Sequence, residues 1–160
     1  MKSVGSWDGA PFAGAKIAAL LGGDLLAYRR DDTPEIPFPG LIDLPGGGRE
    51  GDESPFDCAL RELAEEFGIT VAADRVHYSR AHLLGDGATV SHFIAVRITG
   101  AEVAAVRFGD EGQDWALMPA LDFVAEAEAV PRLREWLAQY LAADEAIRYL
   151  NTALKNPGKP

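Results

Sequence analysis

Apolar residues in the first third of the chain come in short runs rather than helical stripes. Gly14 to Leu21 and Leu25 to Arg30 are two such runs, separated by Gly22-Gly23-Asp24, and they predict a first hairpin. From Thr33 to Gly48 the pattern dissolves. Pro34, Pro37, Pro39, Pro45 and repeated glycines leave a loop, with at most a short strand at Leu41 to Leu44. The period then changes: Phe56, Ala59 or Leu60, Leu63 and Phe67 recur at helical spacing and predict a helix from Pro55 to Phe67. Both of its ends are signalled. Ser54 can accept from the first free amides, Pro55 suits the first helical position, and Gly68 can adopt the left-handed conformation that closes a helix.

Beyond it, Arg75 to Leu84 and Ala88 to Thr99 flank Gly85-Asp86-Gly87 and read as strands, the second with Val90, Ile94, Val96 and Ile98 on one face. Trp115 to Met118 reads as another short strand. After Pro131, Leu133, Trp136, Leu137, Tyr140, Leu141, Ile147, Leu150 and Leu154 return at helical spacing, which predicts one long helix over about 131–154. Strands on both sides of one helix, with a second helix at the end, imply an α/β fold whose mixed sheet lies between helices. The last stripe outruns what one small sheet covers. It leaves two uses open, packing on the sheet or a homodimer contact.

Composition narrows the picture. With 160 residues, 48% of them hydrophobic and 25% charged, the expectation is a single domain over 1–160 with a true core. The formal net charge of -10 argues against duplex nucleic acid and anionic membranes, which attract basic proteins. One cysteine, Cys58, permits no internal disulfide, and there is no Cys/His cluster for structural zinc. His77, His82 and His92 lack ligand spacing and read as partly buried strand residues. No export leader is visible, and no apolar segment approaches the roughly 20 residues that span a bilayer. The expected location is the cytoplasm.

The charge is not evenly spread. Glu50, Asp52, Glu53, Asp57, Glu62, Glu65 and Glu66 stand with one basic residue, Arg61, so this stretch carries -6 of the -10. On a helix, Glu62 lies three and four positions from Glu65 and Glu66, where like charges repel. Two readings fit that spacing: a solvated acidic face, or clustered oxygens for a hard cation such as Mg²⁺.

The run Gly47-x5-Glu53-x7-Arg61-Glu62-Leu63-Ala64-Glu65-Glu66-Phe67-Gly68-Ile69 matches, without a departure, the 23-residue signature of Nudix hydrolases, and Leu44-Pro45-Gly46 resembles the family's usual lead-in. The resemblance implies a Nudix-type α/β/α sandwich. It also implies a hydrolase of a nucleoside diphosphate linked to another group, with Mg²⁺ or Mn²⁺ as cofactor. Carried over by position, Glu62, Glu65, Glu66 and the carbonyl of Gly46 become metal ligands. Gly47 and Glu53 support them from behind, and Arg61 holds the glutamates by charge-assisted hydrogen bonds. Glu62, Glu66 and Arg61 are the catalytic candidates of the helix, with Glu62 placed to orient or deprotonate the attacking water and Arg61 read as an ion-pair partner rather than a phosphate contact.

Further along, Gly109-Asp110-Glu111-Gly112-Gln113 followed by Trp115 and Met118 resembles the segment of MutT-type nucleoside triphosphate pyrophosphohydrolases in which a distant glutamate reaches the metal. Glu111 is the corresponding candidate ligand or base. Arg29 and Arg30 end the second strand where MutT-type proteins place an arginine for substrate phosphates; a salt-bridged loop with Asp31-Asp32 is the other reading. Ala81 to Gly87 lacks the proline common in ADP-ribose-specific relatives and the tyrosine of dinucleoside polyphosphate relatives. The leading expectation is therefore cleavage of a (d)NTP, oxidised or non-standard, to NMP and pyrophosphate. The alternatives are hydrolysis of ADP-ribose, another nucleotide sugar or a dinucleotide, and a nucleotide-sensing module without turnover. Phe38, Phe93, Trp115 and Phe123 could stack on a base, although core packing is the commoner fate of such residues.

Overall fold

The computed structural model of the protein describes residues 6–155. β1 (Gly14–Leu21) and β2 (Asp24–Arg29) form the expected hairpin, but they pair only beside the turn, Leu20 with Leu25 and Leu21 with Asp24. Further out they splay apart, and the chain through β3 (Ile42–Asp43) and β4 (Gly46–Gly48) enters the gap. There β3 runs antiparallel to β2, and β4 antiparallel to β1. The sequence predicts a loop at Gly46 to Gly48, since three glycines carry no strand pattern. Close approach to β1 is what requires them. Gly46 sits at φ 140°, and a Cβ on Gly14 or Gly46 would collide with backbone oxygen of the facing strand.

β5 (Val76–Leu83) and β6 (Val90–Arg97) form a second hairpin, with β6 parallel to β1. β7 (Asp114–Pro119) closes the other side as the antiparallel neighbour of β2. The result is a mixed sheet with helices on both faces. α1 (Pro55–Phe67) covers one face. Its Phe56, Ala59, Leu63 and Phe67 pack with Ile17, Leu26, Ile94 and Val96. After the short α2 (Gly100–Ala104), three helices cover the other face: α3 (Ala120–Ala125), α4 (Pro131–Leu141) and α5 (Asp144–Lys155). Phe123, Leu133, Leu137 and Tyr140 meet Leu20, Leu25 and Phe93 there. This is the mixed sheet between helices that the element order implies, and the α/β/α sandwich that the resemblance implies. No described helix is long and apolar enough to cross a membrane.

The helix expected over about 131–154 is two helices. Ala142 still has helical angles, φ -87° and ψ -6°, but α5 starts afresh at Asp144 with Asp144 and Glu145 in its first turn, where the helix dipole favours acids. The break lets α5 fold back onto the sheet. Tyr149 stacks on His77 with ring centroids 4.5 Å apart and donates its hydroxyl to the Leu20 carbonyl at 3.0 Å. Much of the stripe that suggested a dimer contact therefore packs on the protein's own sheet. Ile147 stands out at 48% exposure, and the side chain of Leu154 lies outside the described residues. α2 and α3 were not anticipated, being too short to show a period.

Candidate functional site

α1 is capped as expected: the Ser54 hydroxyl accepts from the Asp57 amide at 3.1 Å, and Gly68 closes the helix at φ 70°. Such a cap stabilises a helix by about 1 kcal/mol. Fully buried Leu63 and Phe67 fix the rotation of the helix. That rotation turns Glu62 and Glu66 toward β4. A Cβ on Gly47 would stand 2.5 Å from Glu62 Oε1, so only glycine lets this carboxylate lie against the strand. One oxygen of Glu66 accepts from the Gly46 amide at 3.3 Å.

Arg61 organises the acids. Its guanidinium donates to both oxygens of Glu53, to Glu62 Oε1 and Glu65 Oε2 at 3.1 Å each, and to the Gly48 carbonyl at 2.9 Å. Glu50 completes the set at 3.6 Å. The Glu53 carboxyl is held below its ordinary range by these hydrogen bonds, and the Arg61 guanidinium is driven further up, chiefly by Glu53. The contacts of Arg61 are with these glutamates and the Gly48 carbonyl. Glu53 in turn accepts the Glu50 amide at 2.9 Å, so it ties the loop to the helix.

Glu66 is different. Burial pushes its carboxyl up to about 8; Lys16 opposes this, and the neighbouring Glu62 charge adds to it. Among the described residues no group of three His, Cys, Asp or Glu side chains is arranged to hold a metal ion; Glu53, Glu62 and Glu65 instead gather round the Arg61 guanidinium. The donor set nonetheless suits a hard divalent cation. It is all oxygen, it rises from one rigid helix, and it includes a desolvated carboxyl whose charge a cation would offset.

Sequence reasoning missed a second polar group beside Glu66. Asp43 is 2% exposed, yet its carboxylate accepts from Lys16 Nζ at 3.0 and 3.1 Å, Arg30 Nη1 at 2.7 Å, the Tyr28 hydroxyl at 3.1 Å and the Leu44 amide at 2.7 Å. Burial alone would raise its pKa, but the Lys16 charge and the hydrogen bonds from Lys16 and Arg30 leave it lowered. Burial together with Asp43 pushes the Tyr28 phenol well above its ordinary value. The signal was present: Lys16 is the charged residue inside the apolar run Gly14 to Leu21, and Asp43 breaks Leu41 to Leu44.

Glu111 is exposed on a loop tied down at both ends. The Gly109 amide donates to the Glu66 carbonyl at 2.8 Å. At the other end, the Gly112 amide meets Asp31 Oδ2 at 3.2 Å, and Gln113 meets the Arg29 and Arg30 carbonyls at 2.8 Å each. The loop thus bridges the C-terminal end of α1 and the end of β2. Arg29 and Arg30 are already engaged. Arg29 donates to the Gly40 carbonyl at 2.8 Å and Glu128 at 3.2 Å, and Arg30 to the Pro37 carbonyl at 2.8 Å besides Asp43.

Buried Cys58 faces the Gly47 and Gly48 carbonyls, and burial raises its thiol to about 11, which makes it a packing residue. Phe93 and Phe123 are core, Trp115 packs on Phe67, and Phe38 lies under the Arg132 guanidinium.

A NUDIX domain family model matches residues 11–140. Over 76 residues the chain is 34% identical to a U8 snoRNA-decapping enzyme of Mus musculus, a stretch that covers 45% of this chain and 39% of that protein. The match thus spans less than half of the curated relative's length. A NUDIX hydrolase from Nitrosomonas europaea superposes with a TM-score of 0.66 at 16% identity, covering 86% of this chain and 74% of that one. A MutT protein from Methanosarcina mazei Go1 does so at 0.63 and 18%, covering 84% and 96%. At such identities the two structures speak for the sandwich fold, and the family model, which takes in β1 through α4 with the whole acidic helix, goes further: the chain belongs to the NUDIX family.

Proposed function

We propose that this chain hydrolyses a phosphoric anhydride bond of a nucleoside diphosphate linked to another group, with a (d)NTP, oxidised or non-standard, giving NMP and pyrophosphate as the leading case. The observation that carries the proposal is the convergence of Glu62 and Glu66 on the Gly46-Gly47 backbone, with Arg61 bracing the remaining acids. Glu62, Glu65 and Glu66, with the Gly46 carbonyl and Glu111, would hold Mg²⁺ or Mn²⁺, which when bound neutralises phosphate oxygens and lowers the pKa of water.

The protein's own groups do the rest. Glu62 lies against β4 with one oxygen tied to Arg61, so its orientation is set before substrate arrives. It takes a proton from the water that attacks phosphorus, while the anhydride P–O bond breaks and its electrons leave on the departing phosphate oxygen. Arg61 and Glu53 keep that carboxylate and Glu65 from swinging away, which lowers the reorganisation needed at the moment of reaction. Glu111, exposed on the bridging loop, would join the helix glutamates when a cation is bound. Of the two arginines, Arg29 is the more exposed at 35% and is the better placed for a phosphate; Arg30 is committed to Asp43.

A panel of dNTPs, oxidised dNTPs, ADP-ribose and diadenosine polyphosphates with Mg²⁺ or Mn²⁺, read separately for pyrophosphate and monophosphate, tests this. The expected result is equimolar NMP and pyrophosphate from a triphosphate. Tight binding of one compound with hydrolysis of none would replace the enzyme by a nucleotide sensor.

A further inference from the structure

Lys16 lies where the first hairpin splays apart. Its backbone is in register with Gly46 across β1 and β4, and its side-chain stem runs over Gly46, where an added Cβ would meet Lys16 Cδ at 2.9 Å. The ammonium then reaches back along the same segment to both oxygens of Asp43, at 3.0 and 3.1 Å, and to the Leu44 carbonyl at 3.1 Å. One side chain therefore grips Asp43 to Gly46 at both ends. Arg30 and Tyr28 hold Asp43 from β2. Asp43 itself, with Lys16, Arg30, Tyr28 and its neighbouring amide all donating, has its acceptor positions filled and is not offered to a ligand.

The gripped segment is the one that meets the acids. The Gly46 amide donates to Glu66, and Gly47 lies against Glu62. Pairing with β1 holds the backbone of this stretch, and the Ile17 amide donates to the Pro45 carbonyl at 2.9 Å, but its three glycines order at high entropic cost and supply no side chain to fix it further. We propose that Lys16 is a positioning residue for the divalent-cation site: by clasping Asp43 to Gly46 it sets the spacing between the Gly46-Gly47 backbone and the carboxylates of Glu62 and Glu66. The inference rests on the reading of these acids as a cation site. Its action on the ligands is indirect, of the kind that changes metal affinity about 10–100-fold when removed.

The test is Mn²⁺ binding without nucleotide, followed by the electron paramagnetic resonance of free Mn²⁺, for the wild type, Lys16→Met and Glu66→Gln. Lys16→Met keeps the stem over Gly46 and removes the ammonium. It is expected to weaken Mn²⁺ binding about tenfold and to raise the metal concentration needed for half-maximal turnover, with the nucleotide KM at saturating metal unchanged. Should Lys16→Met not fold, K16M/D43N, which leaves no buried carboxylate short of its lysine, carries the same expectation. If the folded variant binds Mn²⁺ like the wild type, while Glu66→Gln does not, Lys16 is structural only and the proposal is overturned. If the wild type binds no Mn²⁺, it is the reading of the acids as a cation site that fails.

Discussion

The two faces of the sheet have been built from different interiors. Toward α1, the apolar stripe of Leu63 and Phe67 ends at an edge crowded with ions: Lys16, Arg30 and Asp43 on one side, Glu53, Arg61, Glu62 and Glu66 on the other. Toward α4 and α5 the groups are aromatic, and burial favours the neutral form of the histidines among them, His77 and His82. His77 meets the Tyr140 hydroxyl at 2.6 Å and stacks on Tyr149, while His82 stacks on Trp136 with centroids 4.4 Å apart and planes at 11°. Removing charge from water costs several kcal/mol per ion unless partners replace the water. One face accepts that cost where chemistry can use it; the other avoids it and supplies stability.

The sharpest way to break this comparison is Glu66→Gln. It removes a buried carboxyl already pushed up to about 8. Turnover should fall by about 100-fold or more, with a melting temperature no lower than that of the wild type. Pyrophosphate release and a thermal melt read the two separately, and full activity would take Glu66 off the list of ligands.

A smaller effect comes from truncating one fully buried leucine on each face, Leu63→Ala and Leu137→Ala. Each should cost about 2–5 kcal/mol in denaturant unfolding. Only Leu63→Ala should lower kcat of the molecules that remain folded, since Leu63 seats the helix next to Glu62. Equal effects on kcat would mean that the faces are not divided as described.

The smallest effect is that of pH on the aromatic face. Burial lowers the His77 imidazole from 6.5 to about 4, with the Arg97 charge adding to this and the Arg75 carbonyl and Glu145 opposing it. A depressed folded pKa means that the unfolded chain takes the proton first. Stability from this group is therefore intact above about pH 6.5 and is lost as pH falls toward 4. Melts between pH 7 and 4.5 should show a shallower decline for His77→Gln than for the wild type. His82, also lowered to about 4 by burial, leaves some slope in both.

Local features were legible where the chain carries its own signal. Ser54, Pro55 and Gly68 mark α1 because capping is satisfied within a few residues, and the positions of Glu53, Arg61, Glu62, Glu65 and Glu66 follow from a motif written in one stretch. Gly46 to Gly48 was not legible as a strand, because its place depends on the distance to β1 and Glu62 rather than on its own residues. The long final helix was misread for a related reason. Its apolar period continues across Ala142-Ala143, and it is Tyr149 docking on His77 that rewards the break.

By itself, then, the amino-acid order determined the acidic helix, its caps and the family motif, since these rest on residues within one short stretch, and the succession of strand and helix signals implied the mixed α/β layering. Only tertiary structure decided that the first hairpin splays, that Lys16 and Arg30 converge on a buried Asp43, and that Glu111 rides on a loop tied to both α1 and β2. These depend on contacts between distant segments, where burial multiplies the strength of a charge and decides which of the acids stay in water.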